Sequence, residues 1–145
     1  MPHSYVSNLI HCAFSTKDRR RAISPEWEER VWAFMGGIAR KNGFKVLAVG
    51  GVEDHLHLLL SIPGTMPVAK AVQLVKAGSS KMIRATFTKD FEWQEGYGAF
   101  SIGVSQVKAT VAYIKNQRVH HKRTDFREEL RTFLKKHGIT PEDLP

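Results

Sequence analysis

Cysteine is almost absent: Cys12 is the only one in 145 residues. That excludes an internal disulfide and, with no CxxC pair, a thiolate zinc site, so a buried, reduced thiol is expected. Long apolar runs are missing too. The oiliest stretch, Val46 to Ile62, is broken by Glu53, Asp54, His55 and His57, short of the roughly 18 apolar residues a membrane span needs. The first residues have no cationic segment ahead of an apolar block and no small-residue cleavage site. They do not read as a signal peptide, and a cytoplasmic location is expected. Acidic residues are in deficit, 14 against 22 Lys plus Arg, for a formal net charge of +8. A polyanion is therefore the first partner to consider, nucleic acid ahead of an anionic membrane. No repeat, low-complexity tract or linker occurs, and 42% hydrophobic with 25% charged residues is an ordinary globular mixture.

What is present is patterned. Residues 5 to 15 alternate, with Val6, Ile10, Cys12 and Phe14 on one side and Tyr5, Ser7, His11 and Ser15 on the other, as in a half-buried strand. A basic knot follows, Lys17, Arg19, Arg20 and Arg21, either a phosphate-facing loop or a solvated turn. Ser24-Pro25 signals a helix start, and Trp27, Val31, Phe34 and Ile38 keep helical spacing up to Asn42-Gly43. Residues 44 to 52 and 55 to 62 read as a hairpin around Glu53 and Asp54. Pro67 opens a second helix, with Val68, Val72, Val75, Ser79 and Met82 on one side and Lys70, Lys81 and Arg84 on another.

Glycine and aromatics crowd Trp93 to Ile102, predicted as a bent strand that closes the sheet. A third helix is predicted from about Val104 to His121. A fourth, capped by Thr124, aligns Phe126, Leu130, Phe133 and Leu134 before Gly138 and Pro141. The order β α β β α β α α suits an α+β fold with an antiparallel sheet and helices packed on one face, in one domain over 1–145.

The segment Asp54-His55-Leu56-His57-Leu58-Leu59-Leu60 carries the most chemical information. On a strand, His55 and His57 share one face while Leu56, Leu58 and Leu60 turn into the core. Paired neutral imidazoles on an open face can hold one divalent ion and leave positions free for substrate oxygens, or they are ordinary surface residues. On the third helix Val104, Val107, Val111 and Ile114 form the apolar stripe, with Tyr113 roughly opposite and Gln117 one turn further on. A tyrosine there is either an amphipathic contact or a nucleophile.

Five segments stand in order along the chain: HCAFSTKDRR, GGVEDHLHLLLSI, WQEGYGAFSI, YIKNQRVHHK and FREEL. Together they resemble the HUH-type single-tyrosine transposases, small enzymes of the simplest bacterial insertion sequences (the IS-two-hundred type), and their REP-associated relatives. The resemblance implies a ferredoxin-like or RRM-like sheet with a C-terminal tyrosine-bearing helix. It implies that His55, His57 and Gln117 hold a divalent cation, Mg²⁺ or Mn²⁺, and that Tyr113 attacks a DNA phosphodiester to leave a 5′-phosphotyrosine and a free 3′-hydroxyl. Single-stranded DNA hairpins and a second copy of the chain are the implied partners, with no membrane and no small-molecule cofactor; which subunit supplies Tyr113 stays open. Lys17, Arg19, Arg20, Lys108, Lys115, Arg118, Lys122 and Arg123 are the candidate phosphate contacts.

Two other functions compete. A hairpin-binding regulator that does not cut, or a domesticated form of the enzyme, would use the same basic charge. A His-x-His metallohydrolase using water would need further ligands, for which Glu53, Asp54, His11, His120 and His121 are the candidates.

Overall fold

A computed structural model describes residues 4–121 and 124–140. Its elements in chain order are β1 (Leu9–Ser15), α1 (Glu28–Lys41), β2 (Lys45–Gly51), β3 (His55–Ser61), α2 (Val68–Thr86), β4 (Gly98–Ile102), α3 (Val107–Lys115), α4 (Gln117–His120) and α5 (Phe126–Lys136), with short 3₁₀ turns at Lys17–Arg19 and Val104–Gln106. The four strands form one antiparallel sheet in the order β2-β3-β1-β4. β3 lies between β1 and β2, which are joined through α1, so the architecture is the ferredoxin-like α+β fold.

Period-two alternation assigns each strand residue to a face. Ile10, Cys12 and Phe14 of β1 and Leu56, Leu58 and Leu60 of β3 point to one side, against Val31, Trp32, Met35 and Ala39 of α1 and Ala71, Val72, Val75 and Ile83 of α2. Leu56, Leu58 and Leu60 are fully buried, and each such side chain stabilises the fold by about 1.5–3 kcal/mol. Cys12 is free and buried on the same face, and burial pushes its thiol up to about 12.

The opposite face carries a second, smaller cluster. Ala48, Leu59 and Ile114 are its buried members, with Val107, Val111 and Tyr113 packed against them. α3 lies on β2 here because Gly50 has no side chain: a Cβ at that position would run into the Ile114 carbonyl oxygen. The face expected to lie open is thus roofed by the C-terminal helices, and His55 and His57 are fully buried.

Several predicted elements shift. The first strand starts at Leu9, and Tyr5 and Val6 are exposed. The helix signalled by Ser24-Pro25 begins at Glu28, after a turn in which the Trp27 and Glu28 amides bond the Ser24 carbonyl. Its inner face is set by Val31, Trp32, Met35 and Ala39, while Phe34 is exposed.

Only Gly98–Ile102 of the aromatic stretch is strand, because Gly96 takes a positive φ of 87° and turns the chain before it. The long third helix is split at Asn116, and Val104 stands outside it, 69% exposed. At the split the Asn116 amide bonds the Tyr113 carbonyl at 3.2 Å, and the Gln117 side-chain amide takes the same carbonyl at 3.3 Å in place of a continuing helical bond. The last helix is capped by Asp125, whose carboxylate accepts from the Glu128 amide at 2.9 Å, one residue after the predicted Thr124. Pro141 lies outside the described residues.

Candidate active site

Three strands and three helices converge on one buried polar cluster. β3 supplies His55 and His57. In register beside His57 are Ala13 on β1 and Gly50 on β2, small neighbours that leave room for an imidazole. His11 on β1 is the diagonal neighbour, with its Nε2 2.9 Å from His57 Nδ1. α3 contributes Tyr113, α4 contributes Gln117, and α5 contributes Glu129.

Glu129 sits at the centre and is 2% exposed. Its Oε1 lies 2.8 Å from His57 Nε2, 3.0 Å from His121 Nε2 and 3.4 Å from His55 Nε2. Its Oε2 accepts from the Tyr113 hydroxyl and, at 3.4 Å, from the Gln117 amide. His120 Nε2 is 3.3 Å from the same hydroxyl. His55 is held at both ends, Nδ1 on Asp54 Oδ1 at 2.8 Å and Nε2 against Gln117 Oε1 at 3.1 Å, and it stacks on Phe126.

Protonation follows from this wiring. Burial would lower the His55 pKa, but hydrogen bonds to Asp54 and Glu129 outweigh it and raise it to about 9. Burial holds His57 below the ordinary histidine value, lowers His11 to about 3 with the help of His57, and lowers His121 to about 4 with the help of His55. For Glu129 burial acts upward, and hydrogen bonds from His55 and His57 more than reverse it, so the carboxylate stays ionised. With His57 neutral and donating from Nε2 to Glu129, its Nδ1 accepts from His11. Among the described residues, no buried side-chain polar atom lacks a partner.

His55, His57, His121 and Glu129 each offer one ligand atom, and these atoms all lie within 4.8 Å of one another. Two or three imidazoles with one carboxylate are a donor set suited to a borderline divalent ion, so the residues fit a metal. A cleft of about 410 Å³ between α3 and α5, lined by Tyr113, His120, Glu129 and Lys136 among others, reaches the tyrosine from outside.

His55, His57, Tyr113 and Gln117 are thus brought together within one chain. Tyr113, expected on the polar side of its helix, is half-buried because α5 covers that side. Of the candidate phosphate contacts, Lys17, Arg19 and Arg20 lie on a braced turn. Thr16 Oγ1 bonds the carbonyls of Arg20 and Asp54, the Asp18 amide bonds Gln94 Oε1, and Asp18 and Arg19 take positive φ values of 56° and 54°. Lys17 is also paired with Glu92 at 2.9 Å. Lys108 and Lys115 are exposed on α3. Arg118 donates to both Glu28 and Glu53 at 2.7 Å, tying α4 to α1 and to the β2–β3 turn. Lys122 and Arg123 lie outside the described residues.

Glu129 escaped the sequence reading, although it left a signal. It falls three residues after Phe126 and four before Phe133, a carboxylate on the apolar stripe of an amphipathic helix. His11, His120 and His121, named from the sequence only as further ligands for a metallohydrolase, all reach the cluster.

Fold and cluster define the class. The chain has the α+β fold of solved transposases, among them a candidate transposase from Deinococcus radiodurans (TM-score 0.64, 22% identity, covering 79% of this chain and 95% of that one). A REP-associated tyrosine transposase bound to a REP hairpin is similar too (TM-score 0.62, 17% identity, 82% and 72% covered). The family described as IS200-like transposases matches residues 4–117, and the chain belongs to that family. The transposase of insertion sequence element IS200 from Salmonella typhimurium is 29% identical over 125 residues, 81% of each chain, and the one from Salmonella typhi matches equally.

Proposed function

We propose that the protein cuts and rejoins single-stranded DNA beside hairpins through a covalent tyrosine intermediate, with Tyr113 as the nucleophile. The observation that carries this reading is the meeting of the Tyr113 hydroxyl with the His55, His57 and Glu129 cluster inside one chain. Membership of the IS200-like family supports it.

In the proposed reaction Tyr113 Oη attacks the phosphorus of a phosphodiester, an Oη–P bond forms, and the bond from phosphorus to the 3′-oxygen breaks. The products are a 5′-phosphotyrosine and a free 3′-hydroxyl, which takes its proton from solvent. The energy of the broken ester is retained in the phosphotyrosine, so a second 3′-hydroxyl can reverse the step and join new DNA. A phenol, with an ordinary pKa near 10, needs help to lose its proton. Here Glu129 Oε2 receives the Tyr113 hydroxyl hydrogen bond. His55, His57 and Gln117 are the residues assigned to hold Mg²⁺ or Mn²⁺, which when bound polarises the phosphate and stabilises charge on its oxygens; imidazole donors favour Mn²⁺. His11 keeps the His57 ring oriented. Lys17, Arg19, Arg20, Lys108 and Lys115, with Lys122 and Arg123, supply backbone phosphate contacts, the first three from a turn already held in shape. The hairpin-bound relative supports a hairpin substrate.

We assign Tyr113 to the histidines of its own subunit, within a homodimer. The reading is tested by incubating the protein with labelled single-stranded hairpin DNA and Mn²⁺ and resolving covalent adduct on a denaturing gel. Wild type gives an adduct and Y113F gives none. Cleavage with no adduct would favour the metallohydrolase, and binding without cleavage the regulator. For the subunit assignment, mixed Y113F and H57A proteins should stay inactive; restored activity would place Tyr113 on the partner's histidines.

A further inference from the structure

Glu129 stands between the imidazoles and the phenol, with a different oxygen toward each. One of its oxygens has three imidazole nitrogens around it, at 2.8, 3.0 and 3.4 Å. A carboxylate oxygen offers two lone pairs; His57 and His121 stand at hydrogen-bond distance from this one, and the His55 nitrogen, bonded to Gln117 Oε1 at 3.1 Å, lies just beyond them. Donors bound to one ion by bonds of about 2.0–2.2 Å stand roughly 3–3.5 Å apart; Glu129 Oε1 lies near that distance from all three nitrogens, and the four ligand atoms together lie within 4.8 Å of one another. The other oxygen holds the Tyr113 hydroxyl. The carboxylate therefore spans the imidazole cluster and the phenol, with one oxygen on each.

Resting on the reading above, we propose that Glu129 is itself a ligand of the divalent cation, through Oε1, and through Oε2 the positioning residue that ties Tyr113 to the occupied site. His121, at the end of α4, and Glu129 thus add to His55, His57 and Gln117, the residues already assigned to the cation. The consequence is a site with an acidic ligand from α5 and more nitrogen than a Mg²⁺ site favours, so Mn²⁺ binds in preference to Mg²⁺. It also makes cation binding and tyrosine placement one event, because the same carboxyl group serves both. α5 can deliver the group because Asp125 caps its first turn and Phe126 and Leu134, both buried, seat it against the sheet side of the cluster.

The test uses the metal-free full chain without DNA. MnCl₂ is titrated calorimetrically into wild type and E129Q, and the near-ultraviolet tyrosine difference signal is followed against Y113F. Wild type is expected to bind one Mn²⁺ per chain and to show a Tyr113 signal; E129Q should bind at least about tenfold more weakly and lose that signal. Equal Mn²⁺ affinity in wild type and a folded E129Q overturns the role of Glu129, while adduct formation continues to support Tyr113 as nucleophile. No Mn²⁺ binding by wild type overturns the metal assignment itself, and loss of adduct in wild type, a separate assay, overturns the reading on which it rests. Should E129Q fail to fold, a wild-type crystal soaked in MnCl₂ decides: Glu129 Oε1 bonded to the ion supports the proposal, and an ion on His55 and His57 with that carboxylate turned away overturns it.

Discussion

The two faces of the sheet are made by the same strands and are both roofed by helices, yet one is almost wholly apolar and the other gathers the polar cluster. On the side of α1 and α2, β1 and β3 turn in Ile10, Cys12, Phe14, Leu56, Leu58 and Leu60, and two long helices of 14 and 19 residues cover them. On the other side the intervening residues include His11, His55 and His57 beside a smaller apolar patch at Ala48 and Leu59, covered by helices of 9, 4 and 11 residues with a break between the first two. The apolar side is held by contact area, which tolerates repacking as long as volume is kept. The polar side is held by a closed hydrogen-bond network in which each member satisfies another, and loss of one leaves a buried group unpaired. Stability and chemistry have been assigned to opposite faces, one residue apart in sequence.

Substitutions at neighbouring positions test that division most sharply. H57A is expected to lower adduct formation by about a thousandfold or more, through loss of a group facing the charged reacting centre, while hairpin binding in a gel-shift assay is retained. L58A, one residue on, should cost about 2–5 kcal/mol in denaturant unfolding, with adduct per folded molecule unchanged. A folded L58A that makes no adduct would break the distinction.

The next effect concerns the point where the two layers touch. G50A places a methyl group against the Ile114 carbonyl and should lift α3 from β2, lowering adduct by roughly 10²-fold, since misplacement by about 1 Å has that cost. Mn²⁺ affinity should fall less, because His55 and His57 stay on β3; an unchanged adduct yield would show that α3 does not set the position of Tyr113.

Smaller shifts are expected from pH. His11 has a pKa of about 3 in the folded chain against an ordinary 6.5, so between these values the unfolded chain binds a proton that the folded one does not, and stability falls as pH falls. His55 at about 9 works the other way: its contribution is complete below 6.5 and is lost as pH rises through 9. The melting temperature of the metal-free protein should thus peak near pH 6.5, and H55N should flatten its alkaline limb. Unchanged alkaline loss in H55N would count against the Asp54 and Glu129 contacts as its source. R118A should have the smallest effect, at most about 1 kcal/mol by thermal melting, since the guanidinium is half exposed and its pairs are screened. A larger loss would mean that the link from α4 to α1 and the β2–β3 turn holds the site closed.

Much of the apolar face was legible because burial imposes a period on sequence. The alternation at Ile10, Cys12 and Phe14 and at Leu56, Leu58 and Leu60, and the spacing of Val72 and Val75, led directly to the sheet and α2. The meeting of His55 and His57 with Tyr113 and Gln117 was legible as a family resemblance. Strand periodicity alone said only that the two imidazoles share a face. What stayed hidden depends on contacts between segments far apart in the chain. The break at Asn116 comes from competition for the Tyr113 carbonyl, which no propensity records. The burial of Tyr113 and both histidines requires α5 to fold back over them, and the role of Arg118 depends on Glu28, 90 residues away. Glu129 reads as one more surface charge until Phe126 and Phe133 are seen to fix its side of the helix.

Cys12 gives the apolar face a use of its own. Its sulfur is wholly covered, and at Cys12 β1 is paired on both sides, with Leu58 of β3 and Ala99 of β4; with the thiol at about 12 it is both unreachable and unreactive at neutral pH. A maleimide or disulfide reagent can therefore mark the native chain only when β1 leaves the sheet. The rate of marking is a clock for whole-sheet opening, already installed, and it reads a face that none of the imidazoles touch.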